Sequence, residues 1–231
     1  MVTSDNTTPF AAADYDKSVR QTIPFYDNIQ SETVDLVRTL KPDVNCWLDT
    51  GCGTGYLVEM ALRYFPQTRF ILTDPSAPML KKAISRLQGI SEKQIRFLPL
   101  TRSESLLMYK DEIKPQVVTA ILSHHYLEKS QRCRATEACY ELLDNAGVFV
   151  TFENIAPCTQ QSTLLALDRW KRFQVEHGRT SSAAEEHARR FNTNYFPITV
   201  NEHFELLRQT GFQVVELFWI SHMQAGFYAI K

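Results

Sequence analysis

The stretch Leu48-Asp49-Thr50-Gly51-Cys52-Gly53-Thr54-Gly55 constrains the fold of this chain more than any other. The short apolar run before it, Val44 to Leu48, reads as a buried strand, and Tyr56-Leu57-Val58-Glu59-Met60-Ala61-Leu62 reads as the first turns of a helix. A strand that runs through glycines into a helix makes a ligand-cradling turn. Glycine allows positive φ and lets a ligand come close to the main chain. The helix N-terminus adds free N–H groups and the positive end of its dipole.

The spacing narrows the ligand. A dinucleotide loop, G-x-G-x-x-G, would need its third glycine at position 56, where Tyr56 stands, and a phosphate loop would need Lys-Ser or Lys-Thr after the last glycine. The pattern here is D-x-G-x-G-x-G, with Asp49 at the strand end. A carboxylate there suits a cationic ligand better than a polyphosphate. S-adenosylmethionine carries an ammonium and a sulfonium and no phosphate. In these residues the chain resembles the class I S-adenosylmethionine-dependent methyltransferases.

A second stretch agrees. Arg69 to Asp74 reads as a strand ending in an acid, and Asp74 lies 19 positions after Gly55. In doubly wound folds an acid about 20 residues on bonds the ribose hydroxyls. Asp74-Pro75-Ser76-Ala77-Pro78-Met79-Leu80 matches the D-x-S-x-x-M-L run of the resembled family, which implies that Met79 packs on the adenine. The family's usual acid after the third strand is missing, and Thr101 stands in about that place. The expected cofactor set is therefore Tyr15, Tyr26, Asp49, Gly51, Cys52, Gly53, Asp74, Pro75, Ser76, Met79, Thr101 and Ser123. The two tyrosines enter because family members fold an N-terminal segment over the cofactor, and ring faces attract cations; helix packing alone would equally account for them.

The expected fold is a doubly wound, mostly parallel seven-stranded α/β sheet of Rossmann-like type. Strands at 45–49, 69–74, 94–99, 116–122 and 147–153 alternate with helices at 55–64, 77–88 and 130–143, which implies right-handed crossovers. Only Ser221-His222-Met223 separates the β-rich runs 212–220 and 224–230, so these should pair as an antiparallel hairpin. Residues 1–13 read as a disordered lead. Residues 1–41 form an N-terminal helical extension broken at Pro24, and 42–231 the main domain. Helices at 160–175 and 183–190 fall in an insertion, 156–198, expected to be a substrate lid; a bundle that only pads the sheet is the plainer alternative.

Methyl transfer needs alignment, exclusion of water and sometimes removal of a proton. His124 and His125, after the fourth strand, are the candidate bases, because imidazole moves protons near neutral pH; both could instead be packing residues. A narrower resemblance, carried by Arg20 to Ile29 and by the lid-to-hairpin half, is to the carboxy-S-adenosylmethionine synthases of tRNA wobble-uridine modification. That resemblance implies a lid arginine at about Arg190. The Gly53-Thr54-Gly55 loop departs from the synthases and favours plain methyl transfer. Arg189 and Arg190 also suit an acidic substrate, since guanidinium pairs carboxylates bidentately. The expected substrate-binding residues are Tyr26, His124, Arg190 and Tyr195.

The expected activity is methylation of a small molecule, with S-adenosylhomocysteine as the product. Carboxy-S-adenosylmethionine synthesis and non-catalytic cofactor binding are the alternatives. Composition sets the outer bounds. At 231 residues, 44% apolar and net charge −1, nothing argues for nucleic acid, and no apolar run approaches membrane-spanning length. Five cysteines without a C-x-x-C pair, together with a polar N-terminus, fit a cytoplasmic enzyme with reduced thiols. The scattered histidines imply no metal, and a homodimer is left open.

Overall fold

The computed structural model describes residues 6–231; the part of the expected lead at 1–5 lies outside the described residues. Five strands, β1 (Cys46–Thr50), β2 (Arg69–Thr73), β3 (Ile95–Phe97), β4 (Val117–Ile121) and β5 (Val148–Asn154), run parallel. Two more, β6 (Val214–Ser221) and β7 (Gln224–Ile230), pair antiparallel, and β7 also lies antiparallel against β5. The sheet order is β3-β2-β1-β4-β5-β7-β6. The hairpin turn shrinks to His222-Met223, because Ser221 still pairs with Gln224.

Parallel strands are covered on both faces, so they read as nearly continuous apolar runs. Trp47, Leu48, Phe70, Leu72, Val118 and Phe149 are accordingly fully buried. One face carries α2 (Tyr26–Leu40), α3 (Tyr56–Ala61) and α4 (Ala77–Arg86), through Val37, Val58 and Ala83. The other carries α5 (Lys129–Leu142) and α8 (Val200–Thr210), through Ala138, Leu142 and Leu207. Helix α8 was not expected from the sequence, although its signals are present. Thr199 and Glu202 form a capping box, and Gly211 ends the helix at φ +117°.

The insertion carries α6 (Gln160–Glu176) and α7 (Ser181–Arg189). They rest on the turn after α1 (Tyr15–Arg20): Trp170 Nε1 donates to the Thr22 carbonyl at 2.6 Å, and an Arg179 Nη donates to Thr22 Oγ1 at 2.7 Å. The expectation of disorder across 1–13 needs correction for its described part. Residues 12–14 form a 3-10 turn, and Asn6, Thr7 and Thr8 wall a cavity. A polar stretch without apolar periodicity gives no sign of being ordered. Here other groups tie it down, with Asn6 Nδ2 donating to the Phe10 carbonyl at 2.8 Å and Arg190 to that of Thr7 at 2.7 Å.

Candidate cofactor and active site

The carboxyl ends of β1, β2 and β4 converge on one cavity of about 290 Å³. Gly51, Gly53 and Gly55 all take positive φ, at +66°, +55° and +75°. The Cys52 N–H donates to the Thr73 carbonyl at 3.0 Å, which ties the loop to β2. Helix α1 holds the loop from outside, because Asp16 accepts the Thr54 hydroxyl at 2.7 Å and pairs with Arg86. A side chain at Gly51 would put its Cβ 2.6 Å from that of Ser123. At Gly53 a Cβ would meet nothing within 4 Å. Gly53→Val should therefore fold, at a cost of roughly 1–3 kcal/mol for the left-handed backbone, while blocking the cavity. Calorimetry should find S-adenosylhomocysteine binding lost. Tight binding by the variant would move the cofactor away from this loop.

Asp74, Pro75, Ser76 and Met79 line the cavity as expected. Asp74 Oδ2 accepts the Gly53 N–H at 2.9 Å and Oδ1 that of Ser76 at 2.8 Å, leaving lone pairs on both oxygens toward the cavity. Burial raises the Asp74 pKa, and these two N–H bonds oppose the shift. Three buried polar atoms on the lining have no hydrogen-bond partner among the described residues: Ser123 Oγ, His124 Nε2 and Glu104 Oε2. A buried polar group without a partner is costly. A cavity with glycine backbone at one end, a carboxylate beside it and orphaned polar atoms opposite fits a nucleoside cofactor with cationic groups.

Several expected residues sit elsewhere. Thr101 turns away, donating to the Pro99 carbonyl at 2.8 Å, and lines no part of this cavity. A threonine hydroxyl can donate to a local carbonyl, which a carboxylate, an acceptor only, cannot do. Tyr26, Asp49 and Cys52 line a separate cavity of about 30 Å³ behind the loop, with Gln30; Tyr15 reaches both. There Tyr26 stacks on Tyr56 with ring centroids 6.0 Å apart. Asp49 accepts the Thr119 hydroxyl at 2.7 Å, and burial, with the Asp74 charge adding to it, pushes its carboxyl up to about 7.

The two candidate bases also separate. His124 faces the cofactor cavity, and burial lowers its pKa, with Glu153 pulling the other way. His125 faces a second cavity, and both of its ring nitrogens are engaged. Nδ1 lies 2.8 Å from Glu153 Oε2 and Nε2 lies 3.1 Å from the Asn154 amide nitrogen. A carboxylate only accepts, so Nδ1 carries the proton and Nε2 takes the Asn154 N–H. Both ring nitrogens of His125 are thus engaged within the protein, whereas among the described residues His124 Nε2 is not. Arg190 and Tyr195 also line this second cavity and not the cofactor cavity, and the Tyr195 hydroxyl is buried without a partner among the described residues.

Two residues that the sequence did not single out hold this arrangement. Glu153, on β5 and 1% exposed, accepts the His124 N–H at 3.3 Å, the His125 N–H at 2.8 Å and the Thr151 hydroxyl at 2.6 Å, besides the His125 ring. Arg132, on α5, donates to the carbonyls of His124, Leu127 and Phe196. The one available signal was the acid in the otherwise apolar run Val148-Phe149-Val150-Thr151-Phe152-Glu153.

Comparison with known proteins agrees with this geometry. Residues 48–149 match the model of a methyltransferase domain. A carboxy-S-adenosyl-L-methionine synthase of Trichodesmium erythraeum is 23% identical over 94% of this chain and 85% of its own. One from Nautilia profundicola is 21% identical over 95% of this chain and 92% of its own. An O-methyltransferase family protein from Burkholderia thailandensis superposes with a TM-score of 0.64 at 14% identity, over 98% of this chain and 65% of that one. Human N-acetylserotonin methyltransferase, solved with S-adenosylmethionine, gives 0.57 at 14% identity, over 95% of this chain and 58% of that one. Against both structures the chain spans less than two thirds of the longer partner.

Sheet order, glycine loop and domain match together define a class I S-adenosylmethionine-dependent methyltransferase fold, and S-adenosylmethionine is its cofactor. Within that class the chain is a methyltransferase-like enzyme whose similar sequences include carboxy-S-adenosyl-L-methionine synthases. No helix among the described residues is long and apolar enough to cross a membrane.

Proposed function

We propose that the chain methylates a small-molecule acceptor, with His124 as the base. The observation that carries this reading is His124 Nε2, buried at the cofactor cavity without a partner among the described residues, on a ring whose pKa burial has lowered. When bound, the cofactor supplies a sulfonium-activated methyl carbon. Asp74 holds the ribose hydroxyls, the backbone of Gly51 and Gly53 carries the amino-acid end, and Met79 and Ser76 flank the base. Neutral His124 accepts the proton that an acceptor hydroxyl or amine releases. Residues 156–198, together with the N-terminal segment, exclude water from the far side. The acceptor lies toward Tyr126, which lines both cavities, and Arg190 draws a carboxylate toward the second. The enzyme acts in the cytoplasm on this reading.

His124→Asn should lower turnover on the best acceptor of a panel of hydroxy and amino acids by roughly 10²–10⁴-fold, the range for a lost general base. Affinity for S-adenosylhomocysteine should stay within about threefold, the bound ring making no cofactor contact in this reading. Full activity in the variant would leave His124 a packing residue.

The second reading is carboxy-S-adenosylmethionine synthesis. It is supported by relatives of that name aligned over 94% and 95% of this chain, and by Arg190 on the same cavity as the Tyr195 hydroxyl, which has no partner among the described residues. Mass spectrometry of ligand released from the purified protein separates the two. S-adenosylmethionine or S-adenosylhomocysteine supports methyl transfer, and the carboxylated sulfonium supports synthesis.

A further inference from the structure

Leu122, the residue after β4, holds a φ of +54°. A bulky side chain is an outlier in that left-handed region, which glycine enters freely. The backbone there is fixed, because the Leu122 N–H donates to the Phe152 carbonyl at 2.7 Å and so extends the ladder to β5 by one residue. Glycine would make the same turn without strain. The strained backbone is the consequence of placing a side chain at this point, so the side chain is what needs a reason.

That side chain lies between two cavities. Leu122 lines the cofactor cavity, with Ser123 and His124, and also the second cavity, with His125, Asn154, Arg190 and Tyr195. The second cavity measures about 20 Å³, room for a water molecule and little more. Thr8, Tyr15 and Tyr126 line both cavities as well, and of these four side chains only that of Leu122 has no hydroxyl. It is an apolar piece in a partition whose far side is polar. Resting on the cofactor reading above, the group carried on the sulfonium faces His124, and Leu122 stands in the same wall. We infer that Leu122 is a specificity-determining residue, which limits that group to methyl by closing the cofactor cavity against the polar one behind it. A wider group would need the space that this side chain fills. Packing against Phe152 and Trp170, in the same buried cluster, is the other task the leucine could have, and it makes a different prediction.

The test is calorimetry with S-adenosylmethionine, with S-adenosylethionine, which carries ethyl on the sulfur, and with carboxy-S-adenosylmethionine. The unmodified protein should bind the methyl compound about tenfold or more tightly than the ethyl compound, the scale of one methylene in a fitted pocket, and should also bind it more tightly than the carboxymethyl compound. Leu122→Gly opens the partition and should bring methyl and ethyl within about threefold, with Leu122→Ala between. Glycine also relieves the left-handed backbone, so the glycine variant should melt no lower than the alanine variant, the reverse of the ordinary order. The alanine variant supplies the same affinity ratio if the glycine variant does not fold. If the folded variants keep the full preference for methyl, Leu122 only packs and the inference falls, while the cofactor reading stands. The inference also falls if the unmodified protein binds the carboxymethyl compound as tightly as the methyl one. If it binds none of the three, it is the cofactor reading that falls, and this inference with it.

Discussion

Glu153→Ala should lower the free energy of unfolding by roughly 3–5 kcal/mol, because several buried donors lose their shared acceptor at about 1–3 kcal/mol each before the site relaxes. The carboxylate is 1% exposed and accepts the N–H groups of His124 and His125, the His125 ring and the Thr151 hydroxyl. Removing it strands those donors where water does not reach. Burial alone would raise the Glu153 pKa, but the hydrogen bonds from the His125 ring and the Thr151 hydroxyl outweigh it and bring it down to about 2 from an ordinary 4.5. The sign follows from linkage. A depressed carboxyl contributes stability that is complete above the unfolded value and is lost as pH falls through the folded one. Between pH 4.5 and 2 the protein should lose about 3 kcal/mol from this group, and Glu153→Gln should flatten that part of the curve. Urea unfolding across the acid range reads both effects. A loss below 1 kcal/mol in Glu153→Ala at neutral pH would mean that the network is loosely coupled to the fold.

How much of this site was legible in the sequence depends on whether a residue's task is local. The glycine loop and the Asp74-to-Leu80 run act through their own backbone turn, so spacing along the chain fixes them, and the cavity forms where they indicated. The strand alternation and the closing hairpin are of the same kind. Glu153 is different, because its partners lie 28 and 29 positions away on the turn after β4, and only the register of β4 against β5 brings them together. Periodicity carries no such information.

The two histidines illustrate the same limit. Adjacent in sequence and chemically alike, they face different cavities because a 3-10 turn, His124–Tyr126, splays them apart. Thr101 and Glu104 separate through another 3-10 turn that begins between them, which leaves Thr101 off the cavity and Glu104 in its wall. The lead at 6–13 lacked periodicity, and its order comes from contacts such as Arg190 to the Thr7 carbonyl, 183 positions away. Helix α8 is the exception: its capping box and terminal glycine were readable and were passed over.

Asp74→Ala should weaken S-adenosylhomocysteine binding by at least about 100-fold. Two ribose hydroxyls bonded to a carboxylate are worth roughly 1.5–3 kcal/mol each, and every 1.4 kcal/mol is about tenfold in affinity. The loss extends past the ligand. The same carboxylate holds the Gly53 and Ser76 N–H groups at 2.9 and 2.8 Å, so it also fixes the glycine loop and the start of α4 before any ligand arrives. Asp74→Asn separates the two tasks. It keeps one oxygen acceptor but presents an amide N–H where an oxygen accepted, so it should fall between the unmodified protein and the alanine variant. Burial raises the Asp74 pKa above its ordinary 3.8, and only the ionised form offers both oxygens as acceptors. Affinity should therefore begin to fall at a higher pH than an exposed carboxylate would give, and the asparagine variant should lack that limb. Calorimetry with S-adenosylhomocysteine across the acid range measures all three quantities, with thermal melts as the check on folding. If the folded alanine variant binds as tightly as the unmodified protein, the ribose lies elsewhere, and Asp74 serves only to hold the loop.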